Sequence, residues 1–311
     1  MAIKVIIDTD IGEDIDDILV TAFALQSPEF EVMGITTVDG DTQARSRIAR
    51  RVTSAFGRPE VPVAAGYVWS MPRADREIAA GTAVTQGELA PDEAGLPPAS
   101  KSGADELIAR IAAEHPGEVA LVTIGSMTNA GQALVRYPET ARNLRAVVTN
   151  GGNFAGRPTA IGWNLRYDPL AAAVVARSGA QWVLLPENAM RHAVLREEEV
   201  KRLRAAGLPT TELLARAIDL WAKNKRDATG RPHLSDLNVF AYLLGNDYLP
   251  VRRGRVTLTI PPPDGLAELR IEEDPAGPHL LGGEAAPGQG AALRAFFMER
   301  VLRPPVSVKG P

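Results

Sequence analysis

The sequence contains no cysteine, which excludes disulfides, thiolate catalysis and iron–sulfur ligation together. It also lacks any basic run. With 34 Lys and Arg against 38 Asp and Glu the net charge is −4, so the electrostatic footprint that a nucleic-acid partner needs is missing. No apolar stretch approaches membrane-spanning length, and nothing near Met1 resembles a signal peptide, because the chain enters an apolar segment almost at once. A cytoplasmic protein with neither a nucleic-acid nor a membrane partner is the expectation. No internal repeat and no convincing linker divides the chain, so residues 1–311 are read as one domain. The remainder is ordinary for a globular protein: 45% hydrophobic, 23% charged, and long enough for a sizeable core.

Strand-like and helix-like segments alternate from the start. Strands are expected at Lys4–Ile7, Phe30–Val38, Val61–Ala64, Glu118–Thr123, Arg145–Thr149 and Gln181–Leu185. Helices are expected from Asp16, over Gln43–Phe56, Ala104–Glu114, Asn129–Val135, Pro169–Arg177, 196–206, 210–226, Asp236–Leu244 and Ala291–Leu302. Val256–Ile260 and Leu269–Glu272 read as a hairpin across Pro-Pro-Pro-Asp-Gly. Alternation of this kind predicts an α/β fold with an open, mostly parallel sheet and helices on both faces, a Rossmann-like core. Residues 66–101 lose periodicity and fill with Gly, Pro, Ala and Ser, the mark of a loop over a site or of disorder.

The chemistry concentrates in Ile6–Asp17, IIDTDIGEDIDD. Asp8, Asp10, Glu13, Asp14, Asp16 and Asp17 crowd the point where a buried strand ends and a helix begins. So many carboxylates at one strand tip repel each other unless a cation compensates. One of them suffices as a helix cap, and Glu13 and Asp14 are equally suited to solvent or to capping. An all-oxygen cluster without cysteine fits Ca²⁺ or Mg²⁺ rather than zinc. It is not an EF-hand, because Gly12 falls too early and Leu19 stands where the bidentate Glu belongs. Three further polar clusters fall at expected strand ends: Asp41, Ile124-Gly125 and Asn150–Asn153. In open α/β sheets that is where ligands bind.

The acidic stretch resembles the DxDxGxDD signature of the inosine-uridine preferring nucleoside hydrolases, with two extra residues before the DD pair. Four more blocks are similar to that family. Thr36–Asp41 resembles its TVxGN, with Asp41 in the place of the Asn, where it is equally placed to cap the next helix. Leu121–Asn129 resembles LVPTGPLTN. Asn150–Asn153 with Gly162-Trp163-Asn164 and Asp168-Pro169 resembles GGN…E(F/W)N…DPEAA, with Gly162 where the family carries Glu. His233–Tyr242 resembles HxHDPLAVAY, with Ser235 in the place of a His.

The resemblance implies a Ca²⁺-dependent hydrolase of an N-riboside. Calcium would be held by Asp10, Asp17, Asp236 and the Ile124 carbonyl, and Asp10 would act as the base. Substrate contacts are implied at Asp16, Asp41, Asn153, Gly162, Trp163, Asn164, His233 and Ser235, with Trp69 or Trp163 available to stack on the base. The resemblance also suggests a homodimer or homotetramer.

Two departures matter. Loss of the Glu at Gly162 is expected to open room beside the sugar 5′ position, which points to an atypical or 5′-modified substrate. Loss of the His at Ser235 leaves no obvious leaving-group acid, since His233 alone is more often structural and Gln86-Gly87 stands where some members carry His-Gly. A non-catalytic nucleoside or sugar binder is therefore the alternative. A Mg²⁺-dependent phosphatase built on Asp8-Thr9-Asp10 ranks below both, because Gly12 replaces the Thr or Val that such a pattern expects.

Overall fold

A computed structural model describes residues 1–71, 84–155, 159–190, 193–224, 231–245, 248–260, 267–286 and 288–305. Among them nine strands form one sheet: β1 (Ile3–Thr9), β2 (Phe30–Thr37), β3 (Val63–Ala65), β4 (Val119–Thr123), β5 (Ala146–Asn150), β6 (Trp182–Leu185), β7 (Val251–Thr259), β8 (Glu268–Glu273) and β9 (His279–Gly282). Their spatial order is β3-β2-β1-β4-β5-β6-β9-β7-β8. The first six are parallel. β9 joins β6 in parallel, and β7 then pairs antiparallel with both β9 and β8.

The helices are α1 (Asp16–Gln26), α2 (Thr42–Ala55), α3 (Ala104–Glu114), α4 (Thr128–Arg136), α5 (Thr140–Asn143), α6 (Trp163–Tyr167), α7 (Pro169–Arg177), α8 (Glu197–Ala205), α9 (Pro209–Asn224), α10 (Leu237–Leu244) and α11 (Gln289–Val301). They cover both faces of the sheet. Val5 and Ile7 of β1, with Ala120 and Val122 of β4, pack into one core with α1, α2, α9, α10 and α11. Ile6, Val119 and Leu121 point the other way, into a second core with α3, α4 and α7. This division explains the unbroken apolar strands: a parallel sheet buried on both faces needs hydrophobic side chains at every position.

The expected strands and the longer helices match the observed ones to within a residue or two at most ends, and the hairpin is present as β7 and β8. Its Pro-Pro-Pro-Asp-Gly turn lies outside the described residues, as do 225–226 of the helix expected to 226. β9, α5, α6 and the short 3₁₀ turns Gly87–Leu89 and Glu187–Met190 were not anticipated. Of the long loop, 72–83 lie outside the described residues, while Gln86 is fully buried against the acidic stretch. No helix among the described residues is long and apolar enough to cross a membrane.

Candidate active site

β1 and β4 are neighbours, yet the chain leaves β1 toward β2 and β3, and leaves β4 toward β5 and β6 on the opposite side. This reversal is the switch point where α/β sheets open a crevice beyond the strand carboxyl ends. The strand tips are stitched together: Ile124 N–H donates to the Asp8 carbonyl (2.8 Å), and Val38 N–H to the Thr9 carbonyl (3.0 Å). Gly125 allows the loop after β1 to close over the gap, since a Cβ there would fall 2.8 Å from the Asp10 backbone nitrogen.

A cavity of about 270 Å³ opens at this point. Asp10, Glu13, Asp14, Asp16 and Asp17 line it from the loop after β1 and the start of α1, Ile124 from the end of β4, and Asn150 from the end of β5. Asp236, the residue before α10, enters from far along the chain with His233 and Ser235. Carboxylate oxygens of Asp16, Asp17 and Asp236 all lie within 4.8 Å of one another, and all three residues are buried. Asp10 shares the cavity but falls outside this tightest set.

Thr9 Oγ1 donates to Asp17. Asn150 Nδ2 donates to Asp236 Oδ1 (2.5 Å), and is itself oriented by Asn238 Nδ2, which donates to Asn150 Oδ1 (2.7 Å). These few donors do not offset the crowding. Burial above all, and then the charges of Asp10 and Asp16, push Asp17 well above the ordinary carboxylate range. Burial, then Asp16 and Asp17, do the same to Asp236. Asp10 is raised by burial, with Arg45 opposing. Buried carboxylates that repel one another, in a cavity that Ile124 also lines, are a donor set that a hard divalent cation would satisfy.

The two extra residues of the acidic stretch are held by a residue that sequence reasoning missed. Arg45, fully buried on α2, donates from Nε to the Asp39 carbonyl (2.8 Å) and from Nη1 to the carbonyls of Ile11 (3.0 Å) and Asp10. Its Nη2 meets Glu13 Oε2 at 3.3 Å. From the other side Gln86 Nε2 donates to the Asp14 carbonyl (2.8 Å), and Gln86 N–H to the Gly12 carbonyl (3.0 Å). The longer loop is thus pinned on its carbonyls, and its side chains are left to face the cavity.

The remaining site residues divide. Asn164 is buried; its Nδ2 donates to the Ile124 carbonyl (2.8 Å) and the Asn150 carbonyl (3.0 Å). Trp163 lines the cavity, exposed, with the Arg166 guanidinium 5.0 Å from its ring centre. His233 reaches Asp14 Oδ1 with Nε2 (3.0 Å); its Nδ1 sits near Ser235 Oγ (2.9 Å) and Asp16 Oδ2 (3.2 Å). The Asp16 charge first, and Asp14 after it, push the imidazole up to about 11 against its burial. His233 is therefore held in the acidic rim by Asp14 and Asp16 and is not an isolated histidine. Asp41, by contrast, is exposed and does not line the cavity: its carboxylate caps α2 through Ala44 N–H (2.9 Å). The offset alignment put a helix cap where a sugar ligand was expected. Trp69 is also exposed and away from the cavity lining.

The open room expected at Gly162 is corrected. Gly162 has φ +69°, and a Cβ there would fall 2.4 Å from Glu187 Oε1 and 2.6 Å from the Gly152 nitrogen. A carboxylate from the turn after β6 already fills the space, and Glu187 lines the cavity. Asn153, whose side chain does not line the cavity, donates from Nδ2 to Glu187 Oε2 (3.3 Å). The premise of a vacated, uncharged space beside Gly162 therefore falls. No motif flagged Glu187, because it lies between the quoted blocks. Asn150, by contrast, stood in plain view at a strand end.

A carboxylate-lined cavity at the switch point of a largely parallel sheet, with donors for a hard cation, defines a metal-dependent α/β enzyme. The comparisons narrow the class. The model of the family "Inosine-uridine preferring nucleoside hydrolase" matches residues 5–271, and the chain belongs to that family of N-glycosyl hydrolases. It is similar to the pyrimidine-specific ribonucleoside hydrolase RihA of Citrobacter koseri, 31% identical over 256 residues that cover 78% of this chain and 80% of the relative. An uncharacterised protein of Schizosaccharomyces pombe is 31% identical over 268 residues, 82% and 84% of the two chains. Among solved structures, a purine-preferring ribonucleoside hydrolase from Gardnerella vaginalis superposes with TM-score 0.80 at 23% identity, over 96% of this chain and 98% of its own, and shares the fold. The phosphatase alternative is overturned by the family match.

Proposed function

We propose that the protein hydrolyses the N-glycosidic bond of ribonucleosides, using water activated at a calcium ion held by Asp10, Asp17, Asp236 and the Ile124 carbonyl. One observation carries the reading: carboxylates separated by more than two hundred residues in sequence line a single cavity, with the Ile124 carbonyl and Asn164 between them. Asp16 belongs to the same tight oxygen set, and is assigned either to the ion or to a sugar hydroxyl. Calcium, when bound, orients a vicinal diol and lowers the pKa of water.

The chain's own groups do the rest. Asp10, whose proton affinity burial raises, takes a proton as water attacks the anomeric carbon. The surrounding carboxylates favour the positive charge that develops on an oxocarbenium-like sugar. Asn164, fixed by two backbone carbonyls, presents its remaining amide oxygen to the sugar. Trp163 offers a flat face to the departing base. His233, held by Asp14 and Asp16, is the charged donor at the rim.

The name of the Citrobacter relative makes pyrimidine nucleosides the first substrates to assay. A cytoplasmic homodimer or homotetramer completes the proposal, to be checked by sedimentation of the purified chain. The test of function is release of reducing sugar from uridine, cytidine, inosine and adenosine, with calcium or with a chelator. Turnover that the chelator abolishes is the expected result. Calcium binding with no turnover of any nucleoside favours the non-catalytic binder and overturns the proposal.

A further inference from the structure

Arg45 has no exposure to solvent, although a buried guanidinium is costly unless its donors are met. They are met mainly by backbone. Nε donates to the Asp39 carbonyl (2.8 Å), Nη1 to the carbonyls of Ile11 (3.0 Å) and Asp10, and Nη2 to Glu13 Oε2 (3.3 Å). Acceptors gathered on one rigid plane keep their spacing, which a flexible ammonium would not enforce. Arg50, on the same helix, gives the contrast. It is nearly as buried, but it donates to the Pro97 carbonyl (2.9 Å) and pairs with Glu93 (2.7 Å), and neither partner lines the cavity.

The carbonyls on Arg45 belong to the strand tips that build the site. Asp10 and Ile11 follow β1 and Asp39 follows β2, while Ser126, after β4, joins them by donating to Asp39 Oδ1 (2.8 Å). Asp39 has φ +69°, a left-handed backbone that a residue with a side chain keeps only where its surroundings hold it. Gly12 turns the acidic loop at φ +107°, close enough to α2 that a Cβ there would fall 2.7 Å from Ile48 Cδ1. Asp10 is confined as well, since its Oδ1 lies 3.1 Å from where a Cβ of Gly125 would fall. A shift of the Asp10 peptide would carry the carboxylate with it, out of the room that Gly125 leaves.

We infer that Arg45 is a positioning residue of the reaction: it fixes the Asp10 peptide from inside the fold, so that the carboxylate is in place for the ion and the attacking water before either arrives. The inference rests on the proposed nucleoside hydrolysis and deepens it. Arg45 itself does not line the cavity, so its effect passes through the backbone of residues 10 and 11. Misplacing a reacting group by about 1 Å from a distance costs on the order of a hundredfold in rate.

The test measures kcat and KM for uridine and inosine, and calcium affinity by calorimetry, in the wild type, Arg45→Met, Arg45→Lys and Arg50→Met. Arg45→Met removes the donors and keeps much of the volume. Its kcat should fall by about tenfold to a hundredfold while KM stays within about threefold, because the sugar keeps its own partners. Arg45→Lys keeps the charge without the fork, so it should lose most of the same rate and bind calcium more weakly. It also carries the test if methionine at this position prevents folding. Arg50→Met should lower the urea midpoint and leave kcat unchanged, as a merely structural arginine does. A folded Arg45→Met or Arg45→Lys enzyme with wild-type kcat overturns this inference alone. So does an Arg50→Met enzyme whose kcat falls as far, since the loss would then follow from any disturbance of α2. A wild type that hydrolyses no nucleoside overturns the parent proposal and this one with it.

Discussion

Two groups of buried carboxylates in this fold have surroundings that differ in kind. Asp168 is enclosed by neutral donors, and Asp8 is met by them on one oxygen only. Asp8 is intermediate: Thr36 Oγ1 (2.6 Å) and Asn129 Nδ2 (2.7 Å) both donate to its Oδ1, while its Oδ2 is buried without a hydrogen-bond partner and the Asp10 charge lies near. Asp168 accepts from Ala171 N–H (2.9 Å), Met71 N–H (2.7 Å) and Thr128 Oγ1 (2.7 Å). Asp17 and Asp236 have comparable burial, but their neighbours are mainly other carboxylates. Burial raises the proton affinity of both groups. A carboxylate whose oxygens are met by hydroxyls and amides, as in Asp168, is already satisfied and serves the fold, whereas one ringed by like charge is satisfied only when a cation arrives.

The largest effect should come from Asp236→Ala. Its loss should lower kcat/KM by roughly a hundredfold to a thousandfold, the several kcal/mol of transition-state stabilisation that a metal supplies. The chelated protein should melt no lower than wild type, because a repelling charge leaves with the Asn150 bond. Asp168→Ala should do the reverse: a loss of about 2–3 kcal/mol of stability, from one helix cap and two further hydrogen bonds, read from the urea midpoint. Its turnover at a permissive temperature should stay near wild type. If Asp168→Ala instead abolished activity in a fully stable protein, the division between the two groups would be wrong.

Calcium at a hundred times its dissociation constant should stabilise the wild type by about 2.7 kcal/mol. That is a melting shift of a few degrees for a domain of this size, which Asp17→Asn should abolish. The smallest effect tests the same logic on a base. His279 Nδ1 accepts from Val256 N–H (2.9 Å), and Nε2 donates to the Ala176 carbonyl (3.0 Å), so a neutral ring is fully partnered and burial lowers its pKa below 6.5. The folded state then binds fewer protons than the unfolded one. Stability rises with pH through 6.5 and is lost on acidification below it. His279→Gln should flatten that slope in urea titrations between pH 5 and about 7.

The division of the chain into strands and helices was legible because a two-sided parallel sheet writes itself as apolar runs between amphipathic segments. β9 was not, since His279–Gly282 is four residues long, sits between Pro278 and Gly283, and is a strand only because β6 and β7 flank it. In the site, the acidic stretch and Ile124 came together as their places at strand ends suggested, and Trp163, Asn164, His233, Ser235 and Asp236, which only the family resemblance had pointed to, line the same cavity. Three positions resisted for physical reasons. Asp41 satisfies both a motif and a helix cap, and only geometry separates the two. Arg45 lies outside every motif quoted for the site, and nothing in its neighbours Ala44 and Ser46 marks it as a buried arginine. Glu187 occupies the space beside Gly162 from a distant turn, which leaves no trace at the motif.

The outermost strand of the long sheet bears on how the molecule behaves in a crowded solution. β8 ends the sheet on one side with Glu268, Arg270 and Glu272 all exposed, while the opposite margin, β3, is only three residues long. A strand from a second molecule seeking unpaired amides would meet alternating charges at one border and almost no frontage at the other. An open nine-stranded sheet that might otherwise template fibres is in this way closed to growth at both borders.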